Sequence, residues 1–263
     1  MASSYLTAIP FIILIVAYFT ASHIRLSENP NDKLLPSIEK FGAAINRLAF
    51  EEDRRTGQYT LWVDTGASLA RLGMGIGIST AIGLILGIAI GLIPYIRSTL
   101  APLVAVISLI PPLAILPILF IIFGLGEVAK VVLIIIGITP FLIRDLSQRV
   151  MEIPIEQIVK AQTLGANSWQ IITRLALPQV LPRLISAVRL SLGPAWLYLI
   201  SSEAIAATAG MGYRIFLVRR YLAMDVIIPY VVWITVLAFL LDYLLRFISR
   251  RSFKWMGGEA TTL

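Results

Sequence analysis

The sequence predicts an all-α membrane protein with about six transmembrane helices. Hydrophobic residues fill 58% of its 263 positions and charged residues only 14%, whereas soluble domains average roughly 45–50% and 25%. The mean hydropathy is +0.86. Several apolar runs without a charged residue also approach or exceed the roughly 20 residues that a helix needs to cross a bilayer.

Composition also excludes other classes of protein. The absence of cysteine excludes a disulfide scaffold, and the high hydrophobicity excludes a disordered chain. A net charge of +7 is typical of nucleic-acid-binding proteins when the chain is soluble. In a membrane protein it reflects basic cytoplasmic loops, so no nucleic-acid partner is predicted. His23 is the single histidine, and without a nucleophile–base set or metal-ligand cluster we predict neither a catalytic nor a metal site.

The first predicted transmembrane helix covers residues 1–26. Met1–Ile24 carries no Lys, Arg, Asp or Glu, and it lacks the basic start and small-residue cleavage site of a signal peptide. Residues 27–66 are predicted to form an extracytoplasmic amphipathic segment. Residues 67–250 are predicted to form a core with five further helices, and residues 251–263 a cytoplasmic tail.

Two long charge-free runs predict the second and third helices, Leu72–Ile96 and Ser98–Gly126, with a short turn between them. Arg71 precedes the first run and is predicted to extend outward to the membrane surface. Three later runs complete the count: Val131–Ile143, the stretch Leu190–Tyr213 interrupted by Glu203, and Val226–Leu241.

The sequence predicts positions and partners for the charged residues near the ends of the later helices. Lys130 and Arg144 flank the fourth run and are predicted to extend from its ends. Asp242 is predicted to pair with Arg246, four residues later on the same helix. The even number of crossings puts both termini on one side, which carries 11 basic residues against nine on the other. We therefore predict cytoplasmic termini.

The positions of the glycine and proline residues predict how these helices pack. Gly83, Gly87 and Gly91 lie on one face, where small residues let a neighbouring helix approach closely. Pro111 and Pro112 are two of four prolines in the third run, which must kink or break. Ordinary helix packing explains these prolines, and so does a translocation path lined by the third, fourth and fifth helices.

Glu203 is the most informative single residue because a carboxylate inside a membrane helix is costly. Trp196 precedes it by two turns on nearly the same face. Two interpretations stay open: Glu203 is a structural acid that bonds to a neighbouring helix, or it contacts a transported solute.

Residues 151–182, between the fourth and fifth runs, predict a structured cytoplasmic segment. Glu156–Leu164 has the pattern of a short amphipathic helix, which Gly165 ends. Ser168 is predicted to cap a second helix, Trp169–Ala176, that ends before Pro178. A surface helix joined to the next membrane span suits force transmission to another protein.

This segment resembles the cytoplasmic signature of permease subunits of bacterial ATP-binding-cassette (ABC) importers. That signature reads Glu-Ala-Ala, three residues, Gly, nine residues, a branched apolar residue, one residue, Leu-Pro. Here Gly165 is followed by nine residues and then Leu175-Ala176-Leu177-Pro178. At the start Ala161 keeps the pattern, whereas Val159 and Lys160 replace the family's Glu and Ala.

Further motifs place the resemblance in the branch that serves nitrate, bicarbonate, taurine and aliphatic sulfonates, over nearly the whole chain beyond Leu35. They are Ser68–Arg71, Ile110–Pro117, Phe123–Glu127, Leu192–Trp196, Glu203 and Gly210–Tyr213. The resemblance implies a type I importer fold in the bacterial inner membrane, surrounded by lipid.

The resemblance also implies partners and site residues. The partners are a second permease copy, two cytoplasmic ABC ATPases that bind ATP and Mg²⁺, and an extracytoplasmic solute-binding protein; no cofactor is expected on this chain. Residues 155–169 would form the coupling helix. The ATPase-coupling residues are Glu156, Ala161, Leu164, Gly165, Trp169, Leu177 and Pro178; the translocation-path residues are Pro111, Pro112, Trp196 and Glu203.

The transported solute is expected to be a small anion like nitrate, a sulfonate or bicarbonate, or a small nitrogen compound that the Arg214–Arg220 stretch suggests. The alternative function is an ion- or proton-coupled secondary carrier. Such carriers usually show internal repeats and several intramembrane charges, whereas this sequence has no clear repeat.

Overall fold

The computed structural model describes residues 2–29, 33–54 and 56–253, and every regular element in these ranges is helical. The α-helices are α1 Ala2–Glu28, α2 Ile38–Ala49, α3 Thr60–Leu92, α4 Pro94–Ile107, α5 Leu116–Phe123, α6 Glu127–Met151, α7 Ile155–Thr163, α8 Ser168–Gln170, α9 Leu177–Ala206, α10 Met211–Arg219 and α11 Met224–Ser252. A 3₁₀ turn at Pro112–Ile115 leads into α5, and a π-helical segment at Ile171–Ala176 joins α8 to α9. The all-α prediction is confirmed, and residues 254–263 of the predicted tail lie outside the described residues.

Three helical stretches of the described chain are long and apolar enough to cross a membrane: α3, α11 and the continuous run Ser168–Ala206. A fourth candidate is α4 together with Pro112–Phe123, two pieces that are bent by 79°. The third predicted span is therefore broken at Pro111 and Pro112, as the missing amide donors of proline require. A count of six spans remains a prediction.

The glycines of α3 bring its backbone against α6, as their spacing predicts. A Cβ atom built on Gly83, Gly87 or Gly91 would lie 2.8, 2.7 or 2.4 Å from the Cβ atom of Leu142, Leu146 or Val150. The residue numbers of the contacting pairs increase in the same direction along both helices, so α3 and α6 run parallel. The chain must therefore return between them, through α4 and α5.

The length of α6 corrects two predictions about its charged residues. Arg144 does not extend from a helix end, because α6 continues for seven more residues to Met151. Lys130 is buried, because its ammonium group donates to Glu127 Oε1 at 2.9 Å instead of reaching the surface.

α9 runs antiparallel to α3 and α6. Its early residues, such as Val180, share a core cluster with Leu146 and Val150, while its late residue Leu199 clusters with Leu72 near the start of α3. The bundle therefore has an α7 end, where α3 and α6 finish, and an opposite end, where α10 and the start of α11 lie.

The predicted pair between Asp242 and Arg246 is present, with a distance of 3.2 Å between Oδ2 and Nη2. Arg189 of α9 also binds this carboxylate, and its Nε donates to Oδ1 at 2.7 Å. Asp242 therefore joins α11 to α9, which the spacing on one helix did not indicate.

Two details of the segment before α9 differ from the prediction. Asn167, not Ser168, caps α8, because its side chain accepts from the amide of Gln170 in a reciprocal capping box. The helix also does not end before Pro178. This proline lies in the first turn of α9, where a missing amide donor is tolerated, so the π-helical segment continues directly into α9.

α2 is the amphipathic helix of the predicted segment 27–66. Ser37 caps it by accepting from the Lys40 amide at 3.4 Å, and Trp62 Nε1 donates to Ala49 O at its end at 3.0 Å. α3 already begins at Thr60, so the last residues of this segment belong to the core.

The close approach of α3 and α6 predicts that Gly91→Ala destabilises the protein. Its new Cβ atom would lie 2.4 Å from Val150 Cβ and 3.1 Å from Ser147 O, so the helices must separate. We expect a loss of about 1–3 kcal/mol in the free energy of unfolding, measured by unfolding the purified chain in detergent. Gly73→Ala is the matched control, since nothing lies within 4 Å of its added Cβ. Equal stability of the two variants would contradict the tight α3–α6 contact.

Candidate functional site

An apolar surface on α7 and α8 is the first candidate site. It consists of Ile155, Val159, Leu164 and Trp169, and we call it the α7 surface. Leu164 is 80% exposed and Trp169 is 70% exposed. Large apolar side chains grouped in this way mark a binding surface for another molecule.

The turn between α7 and α8 holds this surface in a fixed shape. Gly165 has φ +81°, a left-handed conformation that favours glycine. The amide of Gly165 donates to Gln162 O at 2.9 Å, and the amide of Ala166 donates to Ala161 O at 3.0 Å. These bonds terminate α7 as the sequence predicts, and the Asn167 cap starts α8 immediately afterwards.

The predicted coupling residues fall into two groups. Glu156, Leu164, Gly165 and Trp169 are exposed, whereas Ala161, Leu177 and Pro178 are half-buried. Leu177 packs against a core cluster that includes Val150 and Val180, and Gln179 Nε2 donates to Gln157 Oε1 at 3.1 Å. The second group therefore attaches the α7 surface to α9.

A network of charged side chains at the opposite end of the bundle is the second candidate site. Asp64, Ser68 and Arg71 are spaced by four and three residues, so they lie on one face of α3. Arg71 is buried and lies between Glu127 of α6 and Glu203 of α9. Its Nε and Nη2 donate to Glu127, and its Nη1 donates to Glu203 Oε1 at 2.6 Å.

Arg71 therefore does not extend to the membrane surface, and the prediction that it does is wrong. Two carboxylates on neighbouring helices compensate its charge, which makes burial less costly than an unpaired position in the apolar bundle. The same guanidinium also donates to Ala209 O at 2.9 Å, in the loop before α10.

Glu203 is fully buried, and both of its oxygens accept hydrogen bonds. Ser68 Oγ lies 2.7 and 2.9 Å from them, and the Gly212 amide donates to Oε2 at 2.8 Å. This geometry favours the structural acid over direct contact with a solute, since Arg71 donates to Oε1, the Gly212 amide donates to Oε2, and the single hydroxyl proton of Ser68 lies within reach of both.

Asp64 fixes the α10 region in the same way. It is fully buried and accepts from the Gly210 amide at 2.9 Å, Arg214 Nε at 2.8 Å and Tyr230 OH at 2.9 Å. Gly210 has φ +135°, and a Cβ atom there would lie 2.6 Å from Glu203 Oε1. Glycine is therefore required where the loop meets the network.

The charges of this network cancel. Its carboxylates are Asp64, Glu127 and Glu203, and its cations are Arg71, Lys130 and Arg214. We call these six side chains the ion network. Because it is neutral and hydrogen-bonded throughout, it joins α3, α6, α9 and α10 without leaving an unpaired charge in the bundle.

A cavity at the break between α4 and α5 is the third candidate site, with a volume of about 430 Å³. Its lining comes from the end of α4, the middle of α6 and one residue of α9: Ile107, Ser108, Ile110, Pro112, Ile136, Gly137, Pro140, Phe141, Arg144, Asp145, Gln148 and Tyr198. Pro112 is thus beside the cavity, and Pro111 is exposed at the break.

The other predicted path residues lie elsewhere. Trp196 is buried in the core cluster with Leu72 and Ile138, and its indole nitrogen has no hydrogen-bond partner among the described residues. Glu203 belongs to the ion network. The structure therefore does not bring Trp196 or Glu203 to the cavity beside Pro112.

Sequence reasoning missed most of the ion network. The signal for Asp64, Ser68 and Arg71 was available in their spacing along one helical face. Lys130 was interpreted only as the end of an apolar run, and Glu127 only as part of the motif Phe123–Glu127. The sequence alone has no signal that pairs Arg71 with Glu203, since the two residues lie 132 positions apart.

The ion network predicts that Glu203→Gln destabilises the protein, because the buried network is then left with three cations and two carboxylates. We expect the free energy of unfolding in detergent to fall by about 3 kcal/mol. Glu152→Gln is the control, since Glu152 and Arg149 form an exposed pair at 3.1 Å that is worth less than about 1 kcal/mol. Similar losses in the two variants would argue against a structural role for Glu203.

Comparison with known proteins relates these features to a family. The family model described as "Binding-protein-dependent transport system inner membrane component" matches residues 79–254. The taurine transport system permease protein of Escherichia coli is 36% identical over 198 residues, which are 75% of this chain and 72% of that protein. The bicarbonate transport system permease protein of Synechococcus elongatus is 29% identical over 192 residues, 72% of this chain and 69% of that protein.

Solved structures agree with the fold. An inward-facing structure of the MetNI methionine ABC transporter matches with a TM-score of 0.64 at 25% identity, covering 73% of this chain and 95% of that one. A bacterial ABC transporter involved in alginate import matches with a TM-score of 0.65 at 14% identity, covering 94% of each chain, and this likeness concerns the fold alone. The chain therefore belongs to the inner-membrane components of binding-protein-dependent transport systems, and it is a multi-pass ABC importer permease and not an enzyme.

Proposed function

We propose that this permease passes a small anion through the membrane and that its α7 surface docks onto a separate ABC ATPase. The observation that carries the proposal is the α7 surface itself, which exposes large apolar side chains on a turn fixed by Gly165 and Asn167. A surface of this kind is stable in water only when a partner covers it.

The connection from the α7 surface to the bundle suits force transmission. The chain passes from α8 through the π-helical segment into α9 without a loop. α9 is 30 residues long, about 45 Å at the rise of an α-helix, and Glu203 of the ion network lies in its last turn. Pro182 and Pro194 lie inside α9 but no loop interrupts it, so a displacement of the docked segment is passed along α9 to the bundle.

The assembly that we propose has two copies of this chain, two ATPases and an extracytoplasmic solute-binding protein. The family's printed description, binding-protein-dependent transport, supports the last of these. ATP and Mg²⁺ would bind to the ATPases, and no cofactor to this chain. The α7 end and both termini would face the cytoplasm, and lipid would surround the bundle.

Within the proposed path, we assign the solute-facing role to the break at Pro111 and Pro112, beside the cavity. Trp196 and Glu203 would support the path by packing and hydrogen bonding. Motion follows if the solute and the nucleotide each bind two arrangements of the assembly unequally.

The proposed solute is a small anion, since the relatives are named for taurine, aliphatic sulfonates and bicarbonate. A small nitrogen compound has less support, because Arg214 already pairs with Asp64 at 2.8 Å. An ion- or proton-coupled carrier is not favoured, because the chain belongs to a family of ABC permeases.

Docking through the α7 surface predicts that Leu164→Glu separates the permease from its ATPase. A carboxylate buried in that contact would lose its hydration without gaining a partner. We expect co-purification with the cognate ATPase and ATP-driven uptake in liposomes both to fall at least about tenfold, the effect of about 1.4 kcal/mol.

Two controls belong to this test. Leu164→Met keeps an apolar side chain, and Tyr221→Glu adds the same charge at an exposed residue between α10 and α11; both should retain ATPase binding. Unchanged uptake in Leu164→Glu would count against the α7 surface as the docking site.

A further inference from the structure

Arg144 occupies an unusual position in the cavity at the helix break. It lies within α6, seven residues before Met151, and lines the cavity together with polar side chains from α4, α6 and α9. The volume of about 430 Å³ falls within the roughly 300–1,000 Å³ that is typical of small-molecule sites.

The guanidinium of Arg144 has no carboxylate partner among the residues that the structure describes. Its Nη1 donates at 3.0 Å to Oγ of Ser108, the residue that follows the last residue of α4. Several cations of the bundle are paired with carboxylates: Arg71, Lys130 and Arg214 in the ion network, and Arg189 and Arg246 with Asp242. Arg97 instead donates to two backbone carbonyls, those of Ile90 and Gly91. Arg144 differs from all of these because its partner is a single neutral hydroxyl.

Asp145 is the only acidic residue in the cavity lining, and it interacts electrostatically with Arg149, Arg183 and Glu152. Consecutive helical positions are separated by about 100°, so Asp145 and Arg144 project in different directions. Arg144 is also not among the charged groups that act on Asp145, so the two residues do not form an ion pair although both line the cavity. The guanidinium of Arg144 can therefore still pair with an anion there.

The remaining polar groups of the lining suit an anion with several oxygens. Ser108 and Tyr198 carry hydroxyl groups and Gln148 carries an amide, all of which donate hydrogen bonds. The Tyr198 ring is held against α6, since a Cβ atom on Gly137 would lie 2.3 Å from its Cε2 atom. The planar guanidinium binds such oxyanions with two parallel hydrogen bonds.

We propose that Arg144 binds the oxyanionic head group of the solute inside this cavity, as a step on the translocation path. This inference rests on the proposed function and deepens it by naming the residue that recognises the anion. On binding, the head group takes the place of Ser108 as the main partner of the guanidinium.

The absence of cysteine in the chain allows a direct test of the field in the cavity. Phe141 is 42% exposed, lines the cavity and lies three positions before Arg144, on a neighbouring part of the same helical face. In Phe141→Cys, the thiol is modified with a sulfonate-bearing methanethiosulfonate reagent and, separately, with its trimethylammonium analogue. The rate of modification by the sulfonate reagent, divided by the rate for the trimethylammonium reagent, rises with the local positive charge.

We expect that adding Arg144→Gln lowers this ratio about tenfold, because one unit charge about 6 Å away in water changes each of the two rates about threefold and in opposite directions. Arg144→Lys should keep the ratio, since it keeps the charge. Gln162→Cys on exposed α7 is the control position, where Arg144→Gln should leave the ratio unchanged. An equal ratio with and without Arg144, or no reaction of Phe141→Cys with either reagent, would overturn the proposal.

Uptake then separates this proposal from the proposed function. In liposomes with the cognate ATPase and solute-binding protein, we expect Arg144→Gln to reduce ATP-driven uptake of taurine or nitrate, whichever the unaltered assembly transports, at least about tenfold. Uptake unaffected by Arg144→Gln would refute anion binding at Arg144 while leaving the importer assignment intact. Absence of uptake by the unaltered assembly would instead count against the proposed solute class, whereas the thiol ratio tests Arg144 independently.

Discussion

The position of Arg71 between Glu127 and Glu203 is the interaction on which the bundle depends. One guanidinium of α3 binds carboxylates from α6 and α9, and also a carbonyl of the loop before α10. Because a charge in an apolar bundle is tolerated only when it is paired, each helix is needed to compensate the others. The close contact of α3 with α6 at its glycines adds a second attachment that does not involve charge.

This arrangement gives the two ends of the molecule different characters. The opposite end is closed by a neutral network of hydrogen-bonded side chains, whereas the α7 end exposes an apolar surface on a rigid turn. The uninterrupted path from α8 into α9 joins the two. A force applied at the α7 surface would therefore be carried to the ion network. At Pro111 and Pro112, by contrast, the helical path is broken, and the two pieces are bent by 79°.

Local patterns in the sequence predicted much of this structure. The spacing of Gly83, Gly87 and Gly91 predicted the close helix contact, and Gly165 predicted the turn after α7, because both depend on a few neighbouring residues. Arg71 was placed wrongly because charged residues were treated as the ends of apolar runs. Its burial depends on Glu203, 132 positions away, and a pairing across that distance leaves no periodic signal in a single sequence.

A double-mutant cycle of Arg71→Gln and Glu203→Gln tests the central role of this pair most directly. The quantity to measure is the free energy of unfolding in detergent for the unaltered chain, both single variants and the double variant. If the pair holds α3 to α9, the double variant loses less than the sum of the single variants, with a coupling energy of at least about 2 kcal/mol. Losses that add to within about 0.5 kcal/mol would contradict the account.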